Sequence, residues 1–139
     1  GHKKKVEKAL EVLKAIGARR AILLPVSAPF HCSLMAPAVT ELEESILDLK
    51  LSDLSIPIVS NVTAKEILDP KEVKKSLIKQ ITYPVRWRES ISYLSDKGIN
   101  RFIEFGAGKV LSGLVKRILE DPIMLNIGEF SDLEKLKEE

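Results

Sequence analysis

Several common kinds of chemistry have almost nothing to work with in this sequence. One cysteine, Cys32, among 139 residues excludes an internal disulfide framework and any multi-cysteine metal site. The two histidines, His2 and His31, stand far apart and are poor ligand material, so no metal is expected. Seven aromatic side chains leave little for base stacking, and 22 Lys+Arg against 20 Asp+Glu give a formal charge of only +2, too balanced for a dedicated nucleic-acid binder. No apolar run approaches the roughly 20 residues that span a bilayer, and Gly1-His2-Lys3-Lys4-Lys5 lacks the apolar stretch of a secretory signal. A cytoplasmic chain without a membrane partner is expected. No Gly-x-Ser-x-Gly elbow occurs, so no activated serine of that kind is present.

With 45% of its residues hydrophobic and 30% charged, the chain suits one folded domain or a large part of one. It begins without methionine and enters a helical pattern within a few residues, as expected of a cut end.

Val6, Ala9, Leu10, Leu13 and Ile16 recur at helical spacing, with Gly17 as the stop, which predicts a helix over about 3–16. Ala21 to Val26 is an apolar run of strand length, and Pro29 interrupts regular structure after it, so His31 is expected on a loop at a strand end. Ser33 and Pro37 open a second helical pattern with Val39, Leu42, Ile46, Leu47 and Leu49 on its apolar face. Residues 56–60 read as a strand, and Asp69-Pro70 opens a helix to about Ile81. A helix over about 86–97 ends at Gly98, and residues 101–105 form a strand. Gly106-Ala107-Gly108 turns the chain into a helix over 109–119, residues 123–126 form a last strand, and Ser131 caps a terminal helix. Strands alternating with helices imply an α/β fold with a parallel sheet.

A loop histidine after a strand is by itself more often a packed structural residue than a catalyst. The residues around His31 carry more weight. Val26-Ser27-Ala28-Pro29-Phe30-His31-Cys32-Ser33-Leu34-Met35 resembles the histidine motif of the malonyl-CoA:acyl carrier protein transacylases. Four further stretches resemble elements of that family and follow its order: Gly1-His2-Lys3, Ser60-Asn61-Val62-Thr63, Lys79-Gln80-Ile81 to Pro84-Val85-Arg86-Trp87, and Glu104 to Leu111. Ala107 stands where the family usually has proline.

The resemblance implies a larger α/β-hydrolase-like part and a smaller ferredoxin-like part. Residues 1–27 correspond to the last helix and strand of the smaller part, and residues 28–139 to the carboxy-terminal portion of the larger. It implies malonyl transfer from the coenzyme A thioester to the phosphopantetheine thiol of acyl carrier protein, through a seryl ester, with no bound cofactor. His31 is then the base that takes the serine proton, since imidazole titrates near the working pH. Gln80 supplies a backbone carbonyl that orients it. Phe30 corresponds to a position that favours malonyl over methylmalonyl, and Arg19 and Arg20 to a basic pair proposed to meet the acidic carrier protein.

The serine elbow, the oxyanion-hole segment and the malonyl-binding arginine of that family have no counterpart in these residues. The chain is therefore expected to need an amino-terminal half, or a partner chain that supplies it, and to be inactive alone. Two other functions fit the same residues: an acyltransferase of a polyketide pathway, and a noncatalytic α/β module that binds a carrier protein or a partner chain.

Overall fold

A computed structural model describes residues 1–136. The chain is mixed α/β with two small sheets and divides into two compact units, Gly1–Ile58 with Ile67–Val85, and Val59–Glu66 with Arg86 onward.

The first unit opens with α1 (Lys3–Ala15). Its end is a Schellman turn: Gly17, at φ +97°, lets its own N–H reach the Lys14 carbonyl at 3.1 Å and the Ala18 N–H reach the Leu13 carbonyl at 2.9 Å. A left-handed residue is required there, and glycine adopts it without a Cβ clash. The apolar face of α1 is largely bare, with Val12, Leu13 and Ile16 exposed.

The strand expected over Ala21–Val26 is not formed. These residues run without a ladder, and Ile22, Leu23, Leu24 and Val26 are all exposed. A strand is defined by a neighbour that takes its N–H and C=O groups, and among the described residues none does. Pro25 brings no N–H, and the Val26 N–H bonds back to the Leu24 carbonyl at 2.8 Å.

After the His31 loop a single 3-10 turn, Ser33–Met35, leads into α2 (Ala36–Asp48), with Pro37 in its first turn where no N–H is missed. α3 (Pro70–Gln80) starts as expected: the Asp69 carboxylate accepts the Lys71 N–H at 2.8 Å, and Pro70 presets the first helical φ. Helices α2 and α3 pack together, the Lys74 ammonium donates to the Leu47 carbonyl, and Val73 is buried.

Between α2 and α3 lies a two-stranded sheet of β1 (Ile58–Val59) and β2 (Glu66–Ile67), through which the chain passes from the first unit into the second and back. The expected strand over 56–60 shrinks to these two residues, because Pro57 has no N–H for a ladder.

In the second unit, α4 (Trp87–Asp96) and β3 (Arg101–Phe105) follow the sequence pattern. β3 pairs in parallel with β4 (Ile123–Ile127) in the register Arg101 to Ile123 through Phe105 to Ile127. The right-hand connection rule of parallel strands needs a crossover, and α5 (Val110–Val115) lies in it. α5 is shorter than the expected 109–119. Beyond Val115 the bonds tighten, with Arg117 N–H to Leu114 and Ile118 N–H to Val115, and Asp121 sits at φ +49°. Ala64, Ile91, Val115 and Ile127 form the buried apolar set of this unit.

Among the described residues Ser131 caps nothing. Residues Phe130–Leu136 form 3-10 turns, and it is Asp132 that accepts the Gly128 and Glu129 N–H groups at 2.9 and 3.0 Å. A carboxylate is the stronger acceptor for two converging donors. The rest of the expected terminal helix, residues 137–139, lies outside the described residues.

Candidate acyl-transfer site

The His31 loop is built by local bonds. Cys32 Sγ donates to the Pro29 carbonyl at 3.1 Å, and the Met35 N–H donates to the Cys32 carbonyl at 2.9 Å as the 3-10 turn begins. His31 between them stands at φ +58°, in the left-handed region. Histidine enters this region more often than most residues, but it still costs on the order of 1 kcal/mol, which the surrounding bonds must offset.

From that position the ring reaches the end of α3, where His31 Nδ1 lies 2.8 Å from the Gln80 backbone oxygen. A carbonyl only accepts, so the contact is a hydrogen bond only when Nδ1 carries the proton. The neutral ring is thereby held as the Nδ1–H tautomer, and its Nε2 lone pair is left available on an exposed side chain. The residue before Ile81 is placed to accept because helix ends leave their last carbonyls without intrahelical donors. The Thr82 and Tyr83 N–H groups both turn to Lys79, and residue 84, which would answer Gln80 in a continued helix, is a proline without an N–H.

The geometry closes on itself. The loop starts α2, α2 packs on α3 with Leu47 near Lys74, and the far end of α3 returns to His31. The two helices therefore run in opposite directions, and their packing sets the distance between ring and carbonyl.

Other predicted positions fall as follows. Phe30 is 55% exposed, so any pocket it lines needs further walls. Arg19 and Arg20 are exposed just beyond the Schellman turn. Cys32, part-buried beside His31, directs its thiol to the Pro29 carbonyl.

Two elements of the second unit have duties the sequence did not reveal. The Glu104 carboxylate accepts the Leu111 N–H at 3.0 Å, the Ser112 N–H at 2.8 Å, the Ser112 hydroxyl at 2.5 Å and the Asn126 amide at 3.0 Å. It thus joins the end of β3 to the first turn of α5 and to β4 across the Gly106-Ala107-Gly108 turn, where Gly106 and Gly108 stand at φ +120° and +90°. The Ser112 hydroxyl and N–H are the main reasons that this carboxyl sits below its ordinary range. Only the joint placement of three elements brings these partners together, and no local pattern announces it. Likewise Ser60 Oγ accepts the Val62 and Thr63 N–H groups at 3.1 and 3.3 Å, and the Arg86 N–H donates to the Asn61 carbonyl at 2.9 Å. Two of the stretches that carried the family resemblance, Ser60 to Thr63 and Pro84 to Trp87, are thus bonded to each other.

A groove of about 650 Å³ in the second unit is lined by Lys109, Asn126, Gly128 and Asp132 among others, and none of the predicted site residues borders it. Asp132 there is held at about 2, chiefly by its hydrogen bond from Lys135 and then by the Gly128 and Glu129 N–H groups.

An exposed imidazole with one nitrogen tied to a carbonyl and the other open is an arrangement able to accept a proton. The chain is similar to relatives and solved structures that share one description. The malonyl CoA-acyl carrier protein transacylase of Bacillus subtilis is 47% identical over 118 residues, covering 85% of this chain and 37% of that protein. The Staphylococcus aureus transacylase of the same name is 38% identical over 133 residues, covering 96% and 43%. Among solved structures, the acyl carrier protein S-malonyltransferase of Vibrio cholerae superposes with a TM-score of 0.90 at 40% identity, covering 98% of this chain and 44% of that one. A malonyl-transacylase in complex with its type II PKS acyl-carrier protein superposes with a TM-score of 0.91 at 34% identity, covering 99% and 45%. No family model matches. The chain spans about two fifths of the length of the curated relatives it matches. It is a relative of the malonyl CoA-acyl carrier protein transacylases, and a carboxy-terminal portion of such an enzyme fits these matches.

Proposed function

We propose that this chain supplies the base of a malonyl-CoA:acyl carrier protein transacylase whose serine lies in the part of the relatives' length that the chain does not span. The observation that carries the reading is the Nδ1 contact to Gln80, which leaves Nε2 free to accept a proton. In the first half-reaction the serine hydroxyl attacks the malonyl thioester carbon while its proton passes to His31 Nε2. The imidazolium then returns the proton to the departing coenzyme A sulfur. In the second half-reaction the carrier's phosphopantetheine thiol gives its proton to Nε2 and attacks the seryl ester, and the serine oxygen takes that proton back. The Gln80 carbonyl, at the negative end of α3, faces the ring while it is charged.

Each remaining element has its place in this reading. Phe30 is one wall of the acyl pocket, Arg19 and Arg20 meet the carrier protein, and no metal or redox cofactor takes part. Residues 1–27 are the end of a ferredoxin-like subdomain, in which Ala21–Val26 gains a strand neighbour, and residues 28–139 are part of an α/β-hydrolase-like domain. The site is cytoplasmic, and among the described residues no helix is long and apolar enough to cross a membrane. The bare apolar surface, with Ile16 75%, Leu24 69% and Phe130 89% exposed, supports the need for a complementary portion. The pathway is fatty acid synthesis; the likeness to the type II PKS transacylase keeps a polyketide pathway as the second reading.

The chain alone should show no transfer, and mixing it with the serine-bearing portion of a relative should restore labelling of that serine by malonyl-CoA. His31→Ala in the mixture should slow acylation by roughly 10²–10⁴-fold with the fold intact. Robust transfer by the chain alone, or full activity of the alanine variant, would refute the reading.

A further inference from the structure

The lysines of α3 divide between two sides of the helix. Lys71, Lys75 and Lys79 recur at i, i+4 and i+8 and are exposed, and the Lys75 ammonium pairs with Glu72 at 2.7 Å on that surface. Lys74 is half-buried and stands in line with Ile78 and Ile81, at i, i+4 and i+7, next to the buried Val73. A cation within an apolar stripe needs a partner. This one finds it across the helix pair, where its ammonium donates to the Leu47 carbonyl in the last turn of α2.

The end of α2 lacks what Lys74 brings. Its last turn holds Asp48 and no basic residue, which sets an acid at the negative end of the helix, and the last carbonyls of a helix have no intrahelical donors. The two helices have little else to fix them lengthwise, since α2 buries no residue and α3 buries only Val73. Packed helices without deep interdigitation slide along one another. A slide of about 1 Å is enough to carry the 2.8 Å contact between His31 Nδ1 and the Gln80 oxygen out of hydrogen-bond range.

We propose that Lys74 is a positioning residue for His31. Its bond to Leu47 pins α3 along α2 at the end of the pair away from the histidine loop, and the ring meets the Gln80 carbonyl at the near end. The first bond thereby sets the separation in the second. Lys74 itself touches no reacting atom and acts only through the placement of Gln80. The inference rests on the proposed function in one respect, that the ring so held is the base of that reading; the tautomer of the ring is a property of the chain whether or not transfer occurs.

The test reads the two neutral tautomers of His31 in the ¹⁵N-labelled 139-residue chain, above the titration of the ring, with circular dichroism of each variant to confirm the helices. Lys74→Met keeps the apolar stem and removes the donor; it should move the ratio roughly twofold or more toward Nε2–H. Lys74→Arg keeps the cation and should hold the parent ratio, and Lys75→Met, which loses only the exposed pair with Glu72, should hold it too. Lys74→Gln, a shorter and uncharged donor, gives the same reading where Lys74→Met lowers the helix signal. In the reconstituted mixture Lys74→Met should lower kcat for acylation roughly tenfold at unchanged KM for malonyl-CoA, the pattern of a misplaced base. A merely stabilising bond would lower the urea midpoint and leave the ratio where it was, and that result would overturn the inference. So would an equal displacement by Lys74→Arg or Lys75→Met, or a change confined to KM. The proposed transfer reaction fails separately: a ratio that depends on Lys74, with no malonyl-serine formed by the parent mixture, would leave Lys74 positioning the ring and remove the enzyme.

Discussion

If a backbone carbonyl orients His31, its side chain is irrelevant and its acceptor strength is not. Gln80→Ala should therefore leave the imidazole tautomer unchanged, whereas replacing the Gln80–Ile81 amide by an ester through semisynthesis should shift it. The ester weakens the carbonyl as an acceptor without altering any side chain. The contact is 2.8 Å and solvent-exposed, so it is a neutral hydrogen bond in competition with water, contributing about 0.5–1.5 kcal/mol. At about 1.4 kcal/mol per factor of ten, that is a bias of roughly two- to thirteenfold toward Nδ1–H, and exposure favours the lower half. The ester also deletes the Ile81 N–H bond to Ile78, which is long at 3.3 Å and ends the helix rather than holding it. Long-range ¹H–¹⁵N correlation spectra of the histidine ring, recorded above its titration, read the two tautomers directly and need no complementary portion. An unchanged ratio in the ester, or a shift in Gln80→Ala as large as the ester's, would refute the orienting role of the carbonyl.

Glu104→Gln should flatten the acid limb of stability: the native carboxyl lies below its ordinary value of 4.5 through the Ser112 and Leu111 donors. Its contribution is complete above that value and is lost as pH falls through the lower native one, so parent and variant should converge on acidification in denaturant melts between about pH 3 and 6; parallel curves would contradict the assignment. Val115, 2% exposed, should cost about 1–3 kcal/mol on truncation to alanine, from two lost methyl groups and the cavity they leave. The urea midpoint should fall at constant slope, and an unchanged midpoint would show that the site collapses. In the reconstituted enzyme, Phe30→Ala should narrow the preference for malonyl-CoA over methylmalonyl-CoA roughly tenfold, read as the ratio of the two kcat/KM values, since a methyl's worth of space is at stake; an unmoved ratio would take Phe30 out of the pocket.

Local signals in the sequence were enough where the structure is decided locally. Gly17 after a periodic apolar face ends α1 in the expected turn, Asp69-Pro70 begins α3, and the paired glycines at 106 and 108 turn the chain after β3. What failed depended on partners distant in sequence. Ala21–Val26 has the composition of a strand, yet a strand requires a ladder, and none is offered to it. Ser131 was a plausible cap, but Asp132 wins because its carboxylate faces two N–H groups delivered by the turn at Gly128. Glu104 was visible only as part of a resembling motif. Its partners lie seven, eight and 22 residues away, so its duty emerges only once β3, α5 and β4 are assembled. The histidine loop itself was legible from its neighbours. Its orienting carbonyl was legible only through the resemblance, although Pro84 supplies a physical reason that the bare sequence already contained.

The two halves of the proposed catalysis make different demands on the proposed complementary portion. The orientation of His31 rests on contacts within one unit: a thiol to a carbonyl, a 3-10 turn, one helix pair and one ring-to-carbonyl bond. None of these requires a large core, and among the described residues there is none, since Val73 is the one buried residue of that unit. The acyl pocket is the opposite case. Phe30 and Leu34 stand exposed, as do Leu23, Leu24 and Val26 just before them, so among the described residues nothing excludes water from the proposed place of the thioester. Water exclusion strengthens the electrostatics of an acyl-transfer site and spares a malonyl-serine from hydrolysis. A complementary portion therefore has to bring apolar cover as well as a nucleophile. A free serine-bearing peptide, however well placed against Nε2, would give slow hydrolysis of malonyl-CoA rather than transfer.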